Sequence, residues 1–133
     1  MDRLELLRIV LYLIAAYHLL LGAGGLLSTD TATKLARDLF GMELEVTPQS
    51  AYLTRLLSVY ALAFGYFAGV AAADPSRNPA LLDGIVLLYT LRIGLKLGSL
   101  KVYEEAFRAS ASRVWADAAL LALFGLSVLL LKP

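Results

Sequence analysis

The sequence predicts an all-α polytopic membrane protein, a single domain of four transmembrane helices in an antiparallel bundle with a short interfacial helix in the first loop. Three observations carry this expectation. Hydrophobic residues make up 59% of the 133 positions and charged residues 17%, with a mean hydropathy of +0.72. Soluble domains sit nearer roughly 45–50% apolar, and so small a domain has too little interior to hide the excess. Four apolar segments, at about 9–27, 51–73, 80–100 and 114–131, each approach the ~20 residues that cross a bilayer core. The stretches between them are polar or bounded by proline. Backbone groups must be satisfied internally in lipid, so the segments are helices.

The first segment follows "MDRLELLR". It reads as a retained helix rather than a secretory leader, because its apolar run outlasts a leader core and three similar segments follow. The link 28–50 contains "STDTATKLARDLFG". Ser28, Thr29 or Asp30 suits the start of a short helix. Ala32, Leu35, Ala36, Leu39 and Phe40 form its apolar stripe, and Gly41 suits its end. Such a helix is expected in the headgroup plane. The second segment carries Ala61, Gly65, Gly69 and Ala73 at four-residue spacing, which lets helix backbones approach closely. This ridge is expected to pack inside one bundle, with a homodimer contact as the alternative. "DPSRNP", at 74–79, is a tight turn that makes the second and third segments a hairpin. The polar link 101–113 is expected to extend the third helix beyond the membrane surface. Tyr52, Tyr103 and Trp115 fit an aromatic belt at one interface.

An even number of spans puts both termini on the same side, together with the 74–79 turn. That terminal end holds Arg3, Arg8, Arg77 and Lys132. The loop end holds Lys34, Arg37, Arg55, Lys101, Arg108 and Arg113, so the basic residues lean toward a cytoplasmic loop end. The expected location is a bacterial or archaeal inner membrane.

Several function classes drop out. A net charge of +1 provides no field to recruit nucleic acid. The absence of cysteine removes disulfides, thiolate metal sites and cysteine nucleophiles. "GAGG" at 22–25 follows no strand and starts no phosphate-binding pattern. No serine nucleophile stands beside a base, and one histidine with one intramembrane aspartate is too little for a metal site or acid–base chemistry.

Polar residues nevertheless recur within the apolar segments. Counting inward from the loop end at helical rise, Arg55, Lys96 and Asp117 lie about 4–6 Å deep. His18, Tyr60 and Arg92 lie about 12–13 Å deep, with Tyr17 and Tyr89 nearby. Tyr89, Arg92 and Lys96 share one face of the third helix. Charges at such depth face a bundle interior, a partner or a wet cavity. Lys96 is expected to pair with Asp117 or to snorkel to the headgroups, and Arg55 to snorkel likewise. Asp83 is expected at the other interface. Gly94 and Gly98 lie nearly opposite the cations, which predicts a central third helix covered on both faces. Arg92 lacks an acidic partner in its own layer. Either Glu43, Glu45 or Glu104 folds in from the loops, or a ligand meets it.

The chain resembles the DoxX-like group of small four-helix membrane proteins. The resemblance rests on the long first loop leading to "YLTRLLSVYALAFG", on "DPSRNP", on "YTLRIGLKLG" with its arginine, and on "LLLGAGGLL". It maps best at Arg55 and Arg92. It implies the four-span architecture, and quinone-linked sulfur or thiol redox systems that some members accompany.

The expected function is a small non-enzymatic integral membrane protein, an accessory subunit or a binder of a lipid, quinone or small anionic molecule. Its site would comprise Arg92, Lys96, His18, Tyr60, Tyr89, Arg55 and Asp117. A small oligomeric transporter or channel is one alternative, and a haem or quinone redox anchor another. No cofactor is otherwise expected. The expected partners are membrane lipids, a second copy or a larger membrane complex, and no nucleic acid.

Overall fold

The computed structural model describes residues 2–133. Its regular structure is helical: α1 (Arg3–Leu27), α2 (Thr29–Phe40), α3 (Pro48–Ala73), a 3-10 turn (Pro75–Arg77), α4 (Pro79–Gly98), α5 (Leu100–Phe107) and α6 (Ala111–Leu131). Local chemistry explains the starts. Asp2 and Glu5 form a capping box on α1, and Thr47 and Ser50 form another on α3. Ser28 and Ser110 cap α2 and α6. Each cap satisfies amide groups that the first turn leaves free. Pro48 and Pro79 sit at first helical positions, where a missing N–H costs nothing.

Three helices, α1, α3 and α6, are long and apolar enough to cross a membrane. The sequence reading expected four. The remaining long helix, α4, has 20 residues, about 30 Å of rise, but it carries Asp83, Arg92 and Lys96. Its C-terminal end also differs from expectation. The helix stops at Gly98, and the polar link forms a separate helix, α5, rather than a continuation. α5 ends on Arg108 in the left-handed region, at φ 51°.

α1 packs most extensively on α3, and α4 packs on α6. Arginines tie the ends together. Arg8 donates to the last carbonyl of α3, Ala73 O, at 3.1 Å. Arg3 donates to the carbonyls of Leu130 and Lys132. Lys132 Nζ meets Asp83 Oδ1 at 2.6 Å. These contacts set α1 antiparallel to α3 and α6, and α4 antiparallel to α6. They also bring the start of α1, the end of α3, the start of α4 and the end of α6 to one end of the molecule.

The α1–α3 seam is backbone against backbone. A Cβ added at Gly65 would lie 2.9 Å from Leu19 N and 3.0 Å from Ala15 O. One added at Gly22 would lie 2.8 Å from Ser58 O. Within one chain, therefore, Gly22 and Gly25 take in Ser58 and Leu62 of α3, Gly65 of the α3 ridge takes in Ala15 and Leu19 of α1, and Gly24 faces Leu35 of α2.

The buried core fills the half of the molecule nearest the termini. It joins Leu7, Leu11 and Ile14 of α1, Ala68, Ala71 and Ala72 of α3, Leu82 and Ile85 of α4, and Leu121 and Val128 of α6. Toward the loop end α3 and α4 diverge. α4 is accordingly peripheral, against the expectation of a central helix. Nothing lies within 4 Å of a Cβ built at Gly94 or Gly98, so its glycine face is bare. The expectation failed because α4 packs, chiefly on α6, through the one face that carries Leu82, Ile85, Tyr89 and Lys96, and its opposite face stays uncovered.

Candidate functional site

The divergence of α3 and α4 opens a cavity of about 700 Å3 in the loop half. α3 contributes Leu53, Thr54, Leu57, Ser58, Ala61 and Phe64, and α4 contributes Leu88, Arg92, Leu95 and Lys96. His18 and Leu21 of α1 line the back. The loop end is roofed by α2 and the residues after it: Ala32, Leu35, Ala36, Phe40, Met42 and Leu44. The apolar stripe of α2 thus turns toward the cavity, and only Leu39 of that stripe is strongly exposed. Gly41 makes the roof possible. It ends α2 at φ 65°, a conformation that favours glycine. Arg113 then donates to the carbonyls of Asp38 at 2.6 Å and Leu39 at 2.9 Å, fixing the end of α2 to α6.

Two cations reach the cavity, and their circumstances differ. Lys96 is buried and forms an ion pair with buried Asp117 of α6. Its ammonium also lies 4.9 Å from the ring centroid of Tyr103 and 5.8 Å from that of Phe40, within cation–π range. One side chain therefore links α4, α6, α5 and α2. The pair supplies each charge with its opposite in a place where neither would be tolerated alone.

Arg92, half-buried, has no carboxylate within ion-pairing distance among the described residues. Glu43 instead meets Arg108 at 3.4 Å, and Glu45 and Glu104 are exposed. The loop carboxylates therefore do not fold in on Arg92. Its neighbour is His18: Arg92 Nη1 and His18 Nε2 are 3.5 Å apart. His18 Nδ1 lies 2.9 Å from the carbonyl of Ile14. A carbonyl only accepts, so Nδ1 carries the hydrogen, and the neutral ring presents the Nε2 lone pair to Arg92. The result is a positive group with unused N–H donors on the wall of a mostly apolar cavity.

The structure separates the other predicted residues. Tyr60 lines the cavity mouth and is exposed. Tyr89 is fully buried and lies outside the cavity wall. It stacks on Phe124 with centroids 6.2 Å apart, over Gly125, where an added Cβ would come within 3.2 Å of Tyr89 Cβ. Its hydroxyl has no hydrogen-bond partner. Arg55 is exposed and lies off the cavity, because residues 54 and 58 take the inward face of α3. Asp117 is consumed by Lys96. Sequence reasoning missed Thr54, Ser58 and Phe64. Thr54 and Ser58 stand four apart, a helical-face signal that was readable, but their hydroxyls bond the carbonyls of Ser50 and Thr54.

The fold and site together define a class: an all-helical protein with membrane-compatible helices and an apolar cavity bearing one carboxylate-free arginine. Comparison with protein-family models, curated proteins and solved structures finds no match. Among the described residues no three metal-ligating side chains converge.

Proposed function

We propose that this chain is a small integral membrane protein that binds an amphiphile, a lipid, quinone or small anionic molecule, through the α3–α4 cavity, serving as a non-enzymatic accessory subunit or binder. The observation that carries this reading is Arg92, which lines a mostly apolar cavity with no carboxylate beside it. A guanidinium in such a place is stabilised by an anionic or carbonyl group that accepts its N–H donors. The cavity size falls within the range of small-molecule sites.

In this reading α4 is the fourth span. Its length is sufficient, and Lys96 and Asp83 each have a counter-ion, which lowers the cost of placing them in a bilayer. The helices then form a four-span antiparallel bundle, as the DoxX-like resemblance implies, with both termini on one face of an inner membrane. The bare glycine face of α4 meets lipid or a further subunit.

The test is native mass spectrometry of protein released from mild detergent. A co-purifying amphiphile is expected on the wild type and lost from Arg92→Ala. Equal retention by the two proteins would remove the cavity from the argument.

A further inference from the structure

The shape of the cavity and the position of its charge specify the ligand more narrowly, and the inference rests on the amphiphile-binding reading above. Arg92, His18, Phe64 and Leu88 form the deep end, nearest the core. The opposite end, toward the loops, is closed by Leu35, Ala36, Phe40, Met42 and Leu44. A bilayer phospholipid carries its charge at the surface and its chains inward. In this cavity it would set its phosphate against that apolar roof and its chains against Arg92. The polarity of the cavity is the reverse.

Size gives a second restriction. With about 30 Å3 per small group, the share of one water in its liquid, 700 Å3 holds roughly 20 non-hydrogen atoms. Between the walls, that suits one long alkyl chain with its head; a diacyl phospholipid would leave its second chain outside them. Charge gives the third. Asp117 cancels Lys96, and His18, with its hydrogen on Nδ1 toward Ile14 O and its Nε2 lone pair toward the Arg92 guanidinium, adds no charge. The site therefore presents one net positive charge, as a planar fork that matches a carboxylate.

We infer that the cavity seats one single-chain carboxylate, of the long-chain fatty-acid class, head-inward, with its carboxylate on Arg92 and its chain running beneath α2. Tyr60 stands at the mouth between α3 and α4, where the chain would slide in from the bilayer. Lys96 takes no part in holding the head, since its ammonium is already engaged by Asp117, Tyr103 and Phe40.

The test uses the full chain in nanodiscs with three probes: palmitate, palmitate methyl ester and phosphatidylglycerol. Palmitate is expected to bind one to one, the methyl ester about tenfold or more weakly, and Arg92→Gln to abolish that difference, since a charged hydrogen bond is lost. Arg92→Gln keeps the side-chain bulk, and its helicity is checked by circular dichroism. A second variant, Ala36→Phe, leaves the charge alone and shortens the space beneath the roof. It is expected to shift preference from palmitate toward laurate. A palmitate bearing a diazirine at its last carbon is expected to crosslink to residues 36–44. Crosslinking at 88–92 instead, or an unchanged chain-length preference in Ala36→Phe, would overturn the head-inward placement. Equal binding of acid and ester would overturn the carboxylate assignment. Arg92-dependent binding of phosphatidylglycerol without palmitate would overturn this inference and leave the amphiphile reading standing. Binding of none of the three probes would overturn this inference, and the amphiphile reading would then be decided by the co-purification test of Arg92→Ala.

Discussion

Asp117→Asn removes the counter-charge of Lys96 while keeping the side-chain shape. Both members of the pair are nearly inaccessible, with 8% of the lysine and 7% of the aspartate side chain exposed. Deleting one partner of a buried pair costs about 3–5 kcal/mol, because the other charge is left without compensation. Here the stranded ammonium keeps the faces of Tyr103 and Phe40, and cation–π contacts are worth about 0.5–2 kcal/mol. The expected loss is therefore about 2–3 kcal/mol, toward the low side of the range. Lys96→Met strands the carboxylate, which has no comparable support, and is expected to cost the full 3–5 kcal/mol or so. The double variant Lys96→Met/Asp117→Leu buries no charge and is expected within about 1 kcal/mol of wild type. The assay is an SDS-unfolding titration in mixed micelles, read by circular dichroism, with the four proteins treated as a double-mutant cycle. If the two single losses simply add in the double variant, the pair is not coupled. In that case the account of how α4 is anchored to α6 is wrong.

Three further outcomes follow from the geometry. Gly65→Val puts atoms within 3.0 Å of the α1 backbone at Ala15 O and Leu19 N, so α1 and α3 must separate; a loss of about 1–3 kcal/mol is expected in the same titration, against a smaller effect at open Gly94. Tyr89→Phe removes a buried hydroxyl that bonds nothing, so stability is expected unchanged or slightly raised; a loss above about 1 kcal/mol would reveal a partner for that hydroxyl. The native chain has no cysteine, so single introduced cysteines report sidedness cleanly. Under the four-span reading, Arg77→Cys and Lys132→Cys label from one side of sealed vesicles and Glu43→Cys and Glu104→Cys from the other, whereas labelling of Arg77→Cys and Glu104→Cys from the same side would leave α4 outside the membrane.

Much of the helical architecture was legible because its signals are local. The ends of α2 followed from the capping candidates Ser28, Thr29 and Asp30, of which Ser28 is the cap, and from Gly41, and the break between α3 and α4 from "DPSRNP". Residue depth followed from helical rise. Lys96 and Asp117 were assigned to one layer and indeed meet, and His18 and Arg92 to a deeper one and meet as well. Rotation about each helix axis was harder to read. Arg55 shares a layer with Lys96 yet points away. Tyr89 shares a face with Arg92 yet turns into α6, where Gly125 leaves room for its ring. What α2 covers was not legible for the same reason. Its apolar stripe was readable from the spacing, and it covers a cavity whose existence depends on the angle between α3 and α4.

The sequence by itself determined helical content, the apolar segments and the presence of an arginine deep in an apolar segment without a carboxylate in its own layer. Each of these depends on composition, on period or on a single cap. Only the tertiary structure decided that α4 lies at the periphery, that Gly22 and Gly65 are spent on the close approach of α1 and α3, and that Arg92 looks past His18 into a cavity. These depend on which helices approach most closely. That choice is made by backbone fit at Gly22 and Gly65 and by one buried ion pair, interactions between residues far apart in the chain.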